Sequence, residues 1–357
     1  MIRNIILCIL LCGFSYGWSA SQWSSLYPNY NVECGGSYGN SLYFGVRSYA
    51  QNPAILKVNP TTLKIEGNLT LPSEQHPGTV VISGQYGYFG NIGYPSQILK
   101  VDLKTFTLVS TLPLDYAKGH LLQTSLVVGN YAYFGGQGQN SSVVKVDLTT
   151  FTVVSYLINN QMYWLTSSAV FGNYAIFGGF GVGQLPAFAK VDLTTFTTTA
   201  TYYIPGYTSG CLTFSVSGNY GYFGVRDIDQ NSFVAKVNLK TLKYVGSVSL
   251  KTLGLYTSSV ISGSYAYFGY MDVTVIDLVT FTVVTKSTPP AGYNYLVPAI
   301  AYNQTVSFGA FQGAYIGAVQ MPMYATKSAI EENDTASSGW THKIAPLLML
   351  FLIVASL

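Results

Sequence analysis

Short runs of β-branched and aromatic residues alternate along the chain with turns rich in Gly, Asn and Thr. Residues 124–128 (TSLVV) precede a Gly-Asn pair at 129–130, which is typical of a tight hairpin turn, and the run 131–135 (YAYFG) follows. Two further runs, 143–148 (VVKVDL) and 152–157 (TVVSYL), complete the unit. No window shows a sustained helical period. The pattern predicts four strands per unit and an all-β fold.

This unit is repeated along the chain. A triplet ending in Phe-Gly occurs seven times, at steps of 45, 45, 43, 46, 45 and 40 residues. The triplets begin at Tyr43, Tyr88, Tyr133, Ile176, Tyr222, Tyr267 and Ser307. A period near 45 is that of a four-stranded propeller blade, and strands that are apolar on both faces fit blades packed between two neighbours. We therefore predict a single-domain, seven-bladed β-propeller of four-stranded blades.

A second phrase follows most triplets. It reads Lys-Val-Asp or Lys-Val-Asn and is followed by a Thr-Phe or Thr-Leu pair, as at 145–147 and 150–151. The carboxylate or amide can accept backbone N–H bonds within its turn. Because the phrase recurs at equivalent places in successive repeats, we predict that its role is structural.

The repeat resembles that of the YVTN-type and related surface-layer β-propellers. YAYFG stands where that family has its aromatic–valine strand, and VVKVDLTTFTVVSYL stands where it has a valine–isoleucine–Asp strand, a Thr-containing turn and a valine strand. The resemblance covers about residues 30–322. It departs from the family in having Phe-Gly in place of Thr-Asn and in lacking the proline of the first strand. It implies the propeller fold and hardly constrains function, because propellers host many functions.

The last repeat lacks a recognisable Thr-Phe turn and outer strand. The N-terminal segment 22–28 (QWSSLYP) precedes the first inner strand, where other repeats have their outer strand. We expect this segment to supply the outer strand of blade seven, and the alternative is 323–327 (MYATK). The predicted propeller domain extends over residues 21–326.

Composition excludes one class of partner and argues against disorder. Hydrophobic residues make up 49%, aromatic residues 15% and charged residues 9% of the chain, and the net charge is +3. Charged residues are well below the roughly 25% of ordinary soluble domains, but the aromatic content does not fit a disordered chain. No basic run is present, so nucleic acid is not an expected partner.

Both ends of the chain have the composition of targeting signals. Residues 1–20 combine a basic start, a short apolar run and small residues suited to cleavage after Gly17 or Ala20, and we predict a signal peptide there. Residues 340–357 include a final apolar run of 14 residues, shorter than the roughly 20 that a membrane-spanning helix needs.

The C-terminal pattern favours a lipid anchor. Residues 327–339 form a polar stalk, and small residues within it precede the apolar tail. We predict GPI attachment at Asp334, with Asn333 and Ser337 as alternatives, and removal of residues 340–357. The protein would then be held at the outer face of the plasma membrane. The alternative is a retained, single C-terminal transmembrane helix.

Secretion makes the cysteines and the sequons informative. Cys8 and Cys12 fall in the signal peptide. Cys34 and Cys211 belong to blades one and five, which face each other across the channel, so we expect two unpaired thiols. Asn-x-Ser/Thr sequons predict glycosylation at Asn68, Asn140, Asn303 and Asn333.

Candidate metal-binding groups are few. Asp227, Asp229 and Asn231 in DIDQN could direct oxygen ligands at one calcium ion, although an ordinary polar turn is favoured because Gly is absent from the next position. His76 and His120 lie in loops before successive inner strands, without the spacing of a metal site. We therefore predict no cofactor, with calcium as the alternative.

The predicted channel does not favour an enzyme. A metal-dependent hydrolase would need several carboxylates there, and no nucleophile or phosphate-binding motif is visible. The predicted lining is mostly hydroxyl, because the inner strands open with Glu33, Thr79, Thr124, Ser167, Thr213 and Ser258.

One rim of the predicted propeller collects the variable loops. Tyr and Trp supply a large contact area with a polar tip, which suits a sugar or protein ligand. The candidate ligand-binding residues are Tyr163, Trp164, Tyr207, Tyr256, Tyr293 and Tyr295. The alternative for Trp164 is that it caps the core between blades three and four.

The combined features predict a GPI-anchored, glycosylated, extracellular propeller for recognition or adhesion. Its ligand would be a protein or a carbohydrate. The alternatives are an extracellular hydrolase or lyase and a structural surface-coat protein.

Overall fold

The protein is a β-propeller of repeated four-stranded antiparallel blades. The computed structural model describes residues 22–25, 30–48, 51–94, 96–115, 121–137, 141–254, 256–288, 294–303, 305–311 and 315–320. In this part of the chain the only helical element is one 3-10 turn at Val182–Gln184. No described helix is long and apolar enough to span a membrane.

Six blades consist of four strands that are consecutive in the chain. Blade 1 contains β2 (Tyr30–Tyr38), β3 (Ser41–Ser48), β4 (Ala54–Val58) and β5 (Ile65–Thr70). Blade 2 contains β6 (Pro77–Ser83), β7 (Tyr86–Asn91), β8 (Gln97–Asp102) and β9 (Thr107–Pro113). Blade 3 contains β10 (Leu122–Val128), β11 (Tyr131–Gly136), β12 (Ser141–Asp147) and β13 (Thr152–Asn159).

The next three blades follow the same order. Blade 4 contains β14 (Met162–Phe171), β15 (Tyr174–Gly181), β16 (Pro186–Asp192) and β17 (Thr197–Tyr203). Blade 5 contains β18 (Ser209–Ser217), β19 (Tyr220–Arg226), β20 (Asn231–Asn238) and β21 (Lys243–Leu253). Blade 6 contains β22 (Ser258–Ser262), β23 (Tyr265–Gly269), β24 (Val273–Asp277) and β25 (Thr282–Ser287).

A further four-stranded sheet, the composite sheet, joins the two ends of the propeller. Its strands are β26 (Asn294–Tyr302), β27 (Thr305–Phe311), β28 (Tyr315–Gln320) and the N-terminal β1 (Gln22–Ser25). Strand β1 pairs antiparallel with β28, which confirms that the N-terminal segment supplies its outer strand. Strand β26 contacts the inner strands of blades 1 and 6.

A tight turn joins the first strand of each blade to the second. In blades 1 to 6 a Gly with φ between 55 and 58° begins a two-residue turn, such as Gly129-Asn130 between Val128 and Tyr131. Positive φ at the first central residue is the type II′ geometry, which Gly adopts without steric cost. Asn303, with φ 51°, begins the equivalent turn of the composite sheet.

The Lys-Val-Asp phrase has the predicted structural role. Asp147 Oδ1 accepts the backbone N–H groups of Thr149 and Thr150, at 2.7 and 3.2 Å. Equivalent pairs of bonds end on Asn59, Asp102, Asp192, Asn238 and Asp277. These side chains close Asx-turns between the third and fourth strands.

The same turns also join neighbouring blades. Phe151, with φ 51°, packs its ring 5.7 Å from that of Tyr88 in the preceding blade. Lys100 Nζ of that blade lies 4.4 Å from the ring centroid of Tyr86 and 5.5 Å from that of Phe151. Cation–π contacts of this kind repeat at Lys145 and Lys236.

Each outer strand of blades 1 to 6 contains a β-bulge. In blade 3, Val146 faces Val153 and Lys145 faces Ser155, so Val154 is the extra residue and is exposed. A bulge twists an edge strand and hinders pairing with a second chain. The bulged residues are Glu66, Val109, Val154, Thr199, Val245 and Val284.

Strand direction gives the propeller two unlike ends. One end, the turn rim, carries the Gly-first turns and the Asx-turns. The other end, the loop rim, carries the loops that enter each inner strand and the loops that join second to third strands. Every candidate ligand-binding residue was predicted on the loop rim.

Candidate functional site

At the loop rim the inner strands of blades 1 to 4 each contain a one-residue bulge. The register breaks at Glu33, Gly78, Gln123 and Thr166. At the last three of these positions the chain approaches the next blade where its inner strand begins. Thr166 Oγ1 donates to the Cys211 carbonyl at 2.7 Å, and a Cβ on Gly78 would lie 2.7 Å from the Leu122 carbonyl oxygen. The bulge therefore places a residue near the boundary between two blades, and the type of this residue differs from blade to blade.

The bulge corrects one detail of the predicted lining. Cys34 faces Gly45 as Thr79 faces Gly90, so Cys34 is the equivalent of the inner-strand hydroxyls, and Glu33 is the bulged residue before it. The hydroxyls themselves pair across blades. Thr79 Oγ1 lies 2.6 Å from Ser125 Oγ, and Thr213 Oγ1 lies 2.7 Å from Ser259 Oγ.

Trp164 is held between blades 3 and 4. Its indole Nε1 donates to Gln123 Oε1, and its ring stacks on Phe180, its cross-strand partner, at 5.4 Å and 25°. The side chain is half-buried. Trp164 therefore contacts both blades, while part of the ring remains accessible.

Tyr163 is presented to solvent by its own bulge. Met162 faces Gly181 and Trp164 faces Phe180, which leaves Tyr163 as the extra residue in β14. It is 47% exposed, and Gln137 Nε2 lies 3.5 Å from its hydroxyl. A bulge redirects a side chain, and here it turns a Tyr outward beside a fixed Trp.

Tyr207 is less available than Tyr163. Its ring lies 5.6 Å from that of Phe233, and its hydroxyl lies 3.4 Å from the hydroxyl of Tyr244. Burial raises the pKa of Tyr207 well above its usual range. Much of this side chain therefore packs on blade 5.

Tyr256 does not belong to the exposed candidates, and its predicted place on a ligand-binding surface is wrong. It is 1% exposed and occupies a position that is Leu122 in blade 3 and Leu165 in blade 4. Its hydroxyl donates to Asp272 Oδ1 at 2.7 Å and lies 2.8 Å from Thr274 Oγ1. A tyrosine fills an aliphatic core position, and a buried acid satisfies its hydroxyl.

The DIDQN segment folds as a closed polar turn. Asn231 donates from its backbone to Asp227 Oδ1 at 2.8 Å and from its side chain to Asp227 Oδ2 at 3.0 Å. These bonds, led by the side-chain bond, lower the pKa of Asp227. Asp229 is exposed. No described group of three or more His, Cys, Asp or Glu residues is arranged to hold a metal ion.

A charged cluster at the boundary of blades 1 and 2 was not singled out from the sequence. Arg47 Nε lies 2.9 Å from Glu33 Oε1. Burial raises the pKa of Glu33 to about 7, against the opposing effect of Arg47. His76 enters blade 2 nearby, and burial together with Arg47 lowers its pKa. The repeated YFGVR at 43–47 and 222–226 was the signal that could have drawn attention to Arg47.

The two described cysteines are free and buried, in agreement with the expectation of unpaired thiols. Cys211 occupies the aliphatic position that Tyr256 fills in blade 6. Burial raises the pKa of Cys211 to about 12, and it raises that of Cys34 further. Neither thiol is suited to nucleophilic chemistry, because the thiolate is the reactive form.

Several predicted sites lie outside the part of the chain whose side chains the structure describes. Of the sequons, Asn68 on β5 and Asn303 in its tight turn are described, and both are exposed. The remainder comprises Tyr293, Tyr295, His120, Asn140, Asn333, Asp334, Ser337 and both predicted targeting signals.

Comparison with known proteins supports the fold alone. No family model matches the chain, and no curated protein matches it. Among solved structures it is similar to the Kuenenia stuttgartiensis hydrazine synthase, with a TM-score of 0.72, at 13% sequence identity, over 87% of this chain and 99% of that chain. At such low identity the similarity shows a shared β-propeller fold alone.

Proposed function

We propose that this protein is a GPI-anchored, extracellular propeller that recognises a ligand through its loop rim. One observation carries the proposal: among the described residues, exposed apolar and aromatic side chains are more numerous on that rim than on the turn rim, where they are Tyr131, Val170 and Val279. Single exposed apolar residues are ordinary, but their concentration on one face marks an interaction surface. The exposed apolar and aromatic residues of the loop rim are Tyr94, Tyr163, Val182, Leu185, Ile228, Leu253 and Met271.

The direction of the last strand supports this orientation. Gln320, at the end of β28, faces Thr305, which follows the tight turn that begins at Asn303. This turn is the equivalent of the turns that begin with Gly in blades 1 to 6. The chain therefore leaves the composite sheet at the turn rim. An anchor attached further along favours a turn rim near the membrane and a loop rim facing outward.

The outer strands argue against the structural-coat alternative. A coat built by edge-to-edge pairing needs flat, regular outer strands. In this propeller all six consecutive blades carry a bulge in that strand.

We also propose that the composite sheet is the seventh blade and closes the ring. We further propose that the chain shares the surface-layer repeat that it resembles.

An extracellular hydrolase or lyase is a second candidate because of Glu33. A carboxyl with a pKa near 7 beside Arg47 is the kind of group that acid–base catalysis uses. If the protein is such an enzyme, Glu33→Gln should abolish turnover of its substrate and leave attachment of the protein to cells unchanged. Loss of attachment without any turnover in the parent protein would exclude this role.

The proposed function is tested by release and by rim-specific variants. Phosphatidylinositol-specific phospholipase C should release the protein from intact cells, without the sequence LLMLFLIVASL. Binding of the released protein to target cells should be weakened by Trp164→Ala or Tyr207→Ala and unaffected by Thr150→Ala or Thr195→Ala on the turn rim. Retention of the tail would contradict the anchor, and the reverse pattern of binding would contradict the rim.

A further inference from the structure

Three loops on the rim of blades 3 and 4, which join β11 to β12, β13 to β14 and β15 to β16, contain no charged residue, whereas the loop that enters blade 3 carries Asp115, Lys118 and His120. Residues 121–144 and 148–189 contain no Asp, Glu, Lys, Arg or His. The residues that interrupt this stretch, Lys145 and Asp147, lie toward the turn rim, where Lys145 covers the Tyr131 ring and Asp147 closes its turn. The three neutral loops therefore offer a ligand no charge.

This region presents rings in fixed orientations. The hydrogen bond to Gln123 and the stacking on Phe180 together fix the plane of the Trp164 indole. Tyr163 projects beside it from the bulge. A rigid aromatic surface loses little conformational entropy when a ligand covers it.

Neutral hydrogen-bonding groups surround the rings. Gln137 lies beside the Tyr163 hydroxyl, and Gln161 is exposed at the turn that precedes β14. An amide side chain offers both donors and an acceptor without charge, so it matches a hydroxyl group in either role. We call the set Gln123, Gln137, Gln161, Tyr163 and Trp164 the neutral patch.

We propose that the neutral patch binds an uncharged oligosaccharide. The apolar C–H face of a sugar ring would stack on Trp164 and Tyr163, and its hydroxyls would bond the surrounding amides. A protein partner is disfavoured, because a stable protein interface buries about 800 Å² on each side and is enriched in Arg, which this region lacks. The inference rests on the proposed function and specifies its ligand class.

The test uses the full-length protein displayed on cells and three sets of labelled oligosaccharides, which are neutral, uronic acid-containing and sulphated. At least one neutral oligosaccharide should bind. Its affinity should change little between roughly 50 and 500 mM salt, because no charge pair contributes. Binding restricted to the charged sets, or binding abolished by salt, would overturn the proposal.

Variants assign the binding to the patch. Tyr163→Ala and Trp164→Ala should each weaken binding by about tenfold or more. Tyr131→Ala, an exposed Tyr on the turn rim of blade 3, is the matched control and should leave binding unchanged. If Trp164→Ala does not fold, Trp164→Phe and Gln123→Ala provide the measurement, and Trp164→Phe should retain part of the affinity. Equal losses in Tyr131→Ala and Tyr163→Ala would overturn the assignment.

One further measurement separates this inference from the proposed function. Target cells are treated either with glycosidases or with protease before the released protein is added. Binding lost only after glycosidase treatment supports the neutral patch as a glycan site. Binding lost only after protease treatment, yet sensitive to Trp164→Ala, would overturn the glycan inference and leave recognition through the loop rim standing. Binding insensitive to every loop-rim variant would overturn both.

Discussion

The two rims of the propeller are built from the same repeats and differ in what varies between blades. At the turn rim, six Asx-turns share one geometry, in which an Asp or Asn accepts two backbone N–H groups. At the loop rim, the equivalent bulged position is Glu33, Gly78, Gln123 or Thr166. The turn rim therefore repeats a structural solution, and the loop rim uses the scaffold to present different chemistry.

Carboxyl groups at the turn rim are perturbed in one direction, whereas those at the loop rim are perturbed in both, since the side-chain bond from Asn231 lowers the pKa of Asp227. At the turn rim, backbone N–H donors lower the pKa of Asp102 and of Asp192. At the loop rim, burial raises the pKa of Glu33. The turn-rim carboxylates are thus stabilised in their charged form, whereas Glu33 is held in a site that disfavours its charge. Titratable groups with pKa values shifted in this way are concentrated at the functional sites of proteins.

The largest difference between the rims should appear in stability. Phe151→Ala removes a ring that packs on Tyr88 and lies under Lys100 of the neighbouring blade. We expect a loss of about 2 to 3 kcal/mol in the free energy of unfolding, measured from the midpoint of urea denaturation. Tyr163→Ala at the loop rim should cost less than about 0.5 kcal/mol. Equal losses would mean that the loop rim is as structural as the turn rim.

The second prediction concerns the pH dependence of stability at the Glu33–Arg47 pair. The folded protein keeps a proton on Glu33 up to a pKa of about 7, whereas the unfolded chain releases it near 4.5. The folded state thus binds more protons between these values, and stability falls as pH rises through this window, by at most about 3 kcal/mol. Glu33→Gln should remove this contribution.

The measurement is the difference in unfolding free energy between the parent protein and Glu33→Gln at several pH values. The variant should gain relative to the parent between pH 5 and pH 8. Arg47, which pairs with Glu33, and His76, whose pKa Arg47 lowers, remain in both proteins, so their own effects largely cancel. A difference that is constant with pH, or that changes in the opposite direction, would show that Glu33 is ionised with an ordinary or lowered pKa.

The fold could be predicted from the sequence because each repeat contains local sequence signals for its strands and turns. The Gly-Asn turns, the Lys-Val-Asp phrase and the period near 45 all have physical causes that lie within one blade. The N-terminal strand was also predictable, because the last repeat lacked an outer strand and another segment had to supply it.

The loop rim was less predictable because bulges shift register without any change in hydrophobic pattern. Nothing in the sequence separates Glu33 from Cys34 as the residue opposite Gly45. Tyr256 failed for another reason. An aromatic residue in a loop looks exposed until its partner is known, and here that partner, Asp272, lies 16 residues away on the next hairpin. Contacts between segments that are distant in the sequence decide exposure at this rim, and period alone does not reveal them.

The smallest expected effect tests whether the turn rim needs charge or only geometry. Asp147→Ala removes the acceptor of two backbone N–H bonds and should cost about 1 kcal/mol in the free energy of unfolding. Asp147→Asn should cost much less, because Asn59 and Asn238 accept the same pair of bonds in blades 1 and 5. Urea denaturation of the two variants gives the comparison, and ligand binding should be unchanged in both, since the turn lies at the rim opposite the neutral patch. If Asp147→Asn proves as costly as Asp147→Ala, the negative charge itself stabilises this turn and the rims differ in electrostatics as well as in shape.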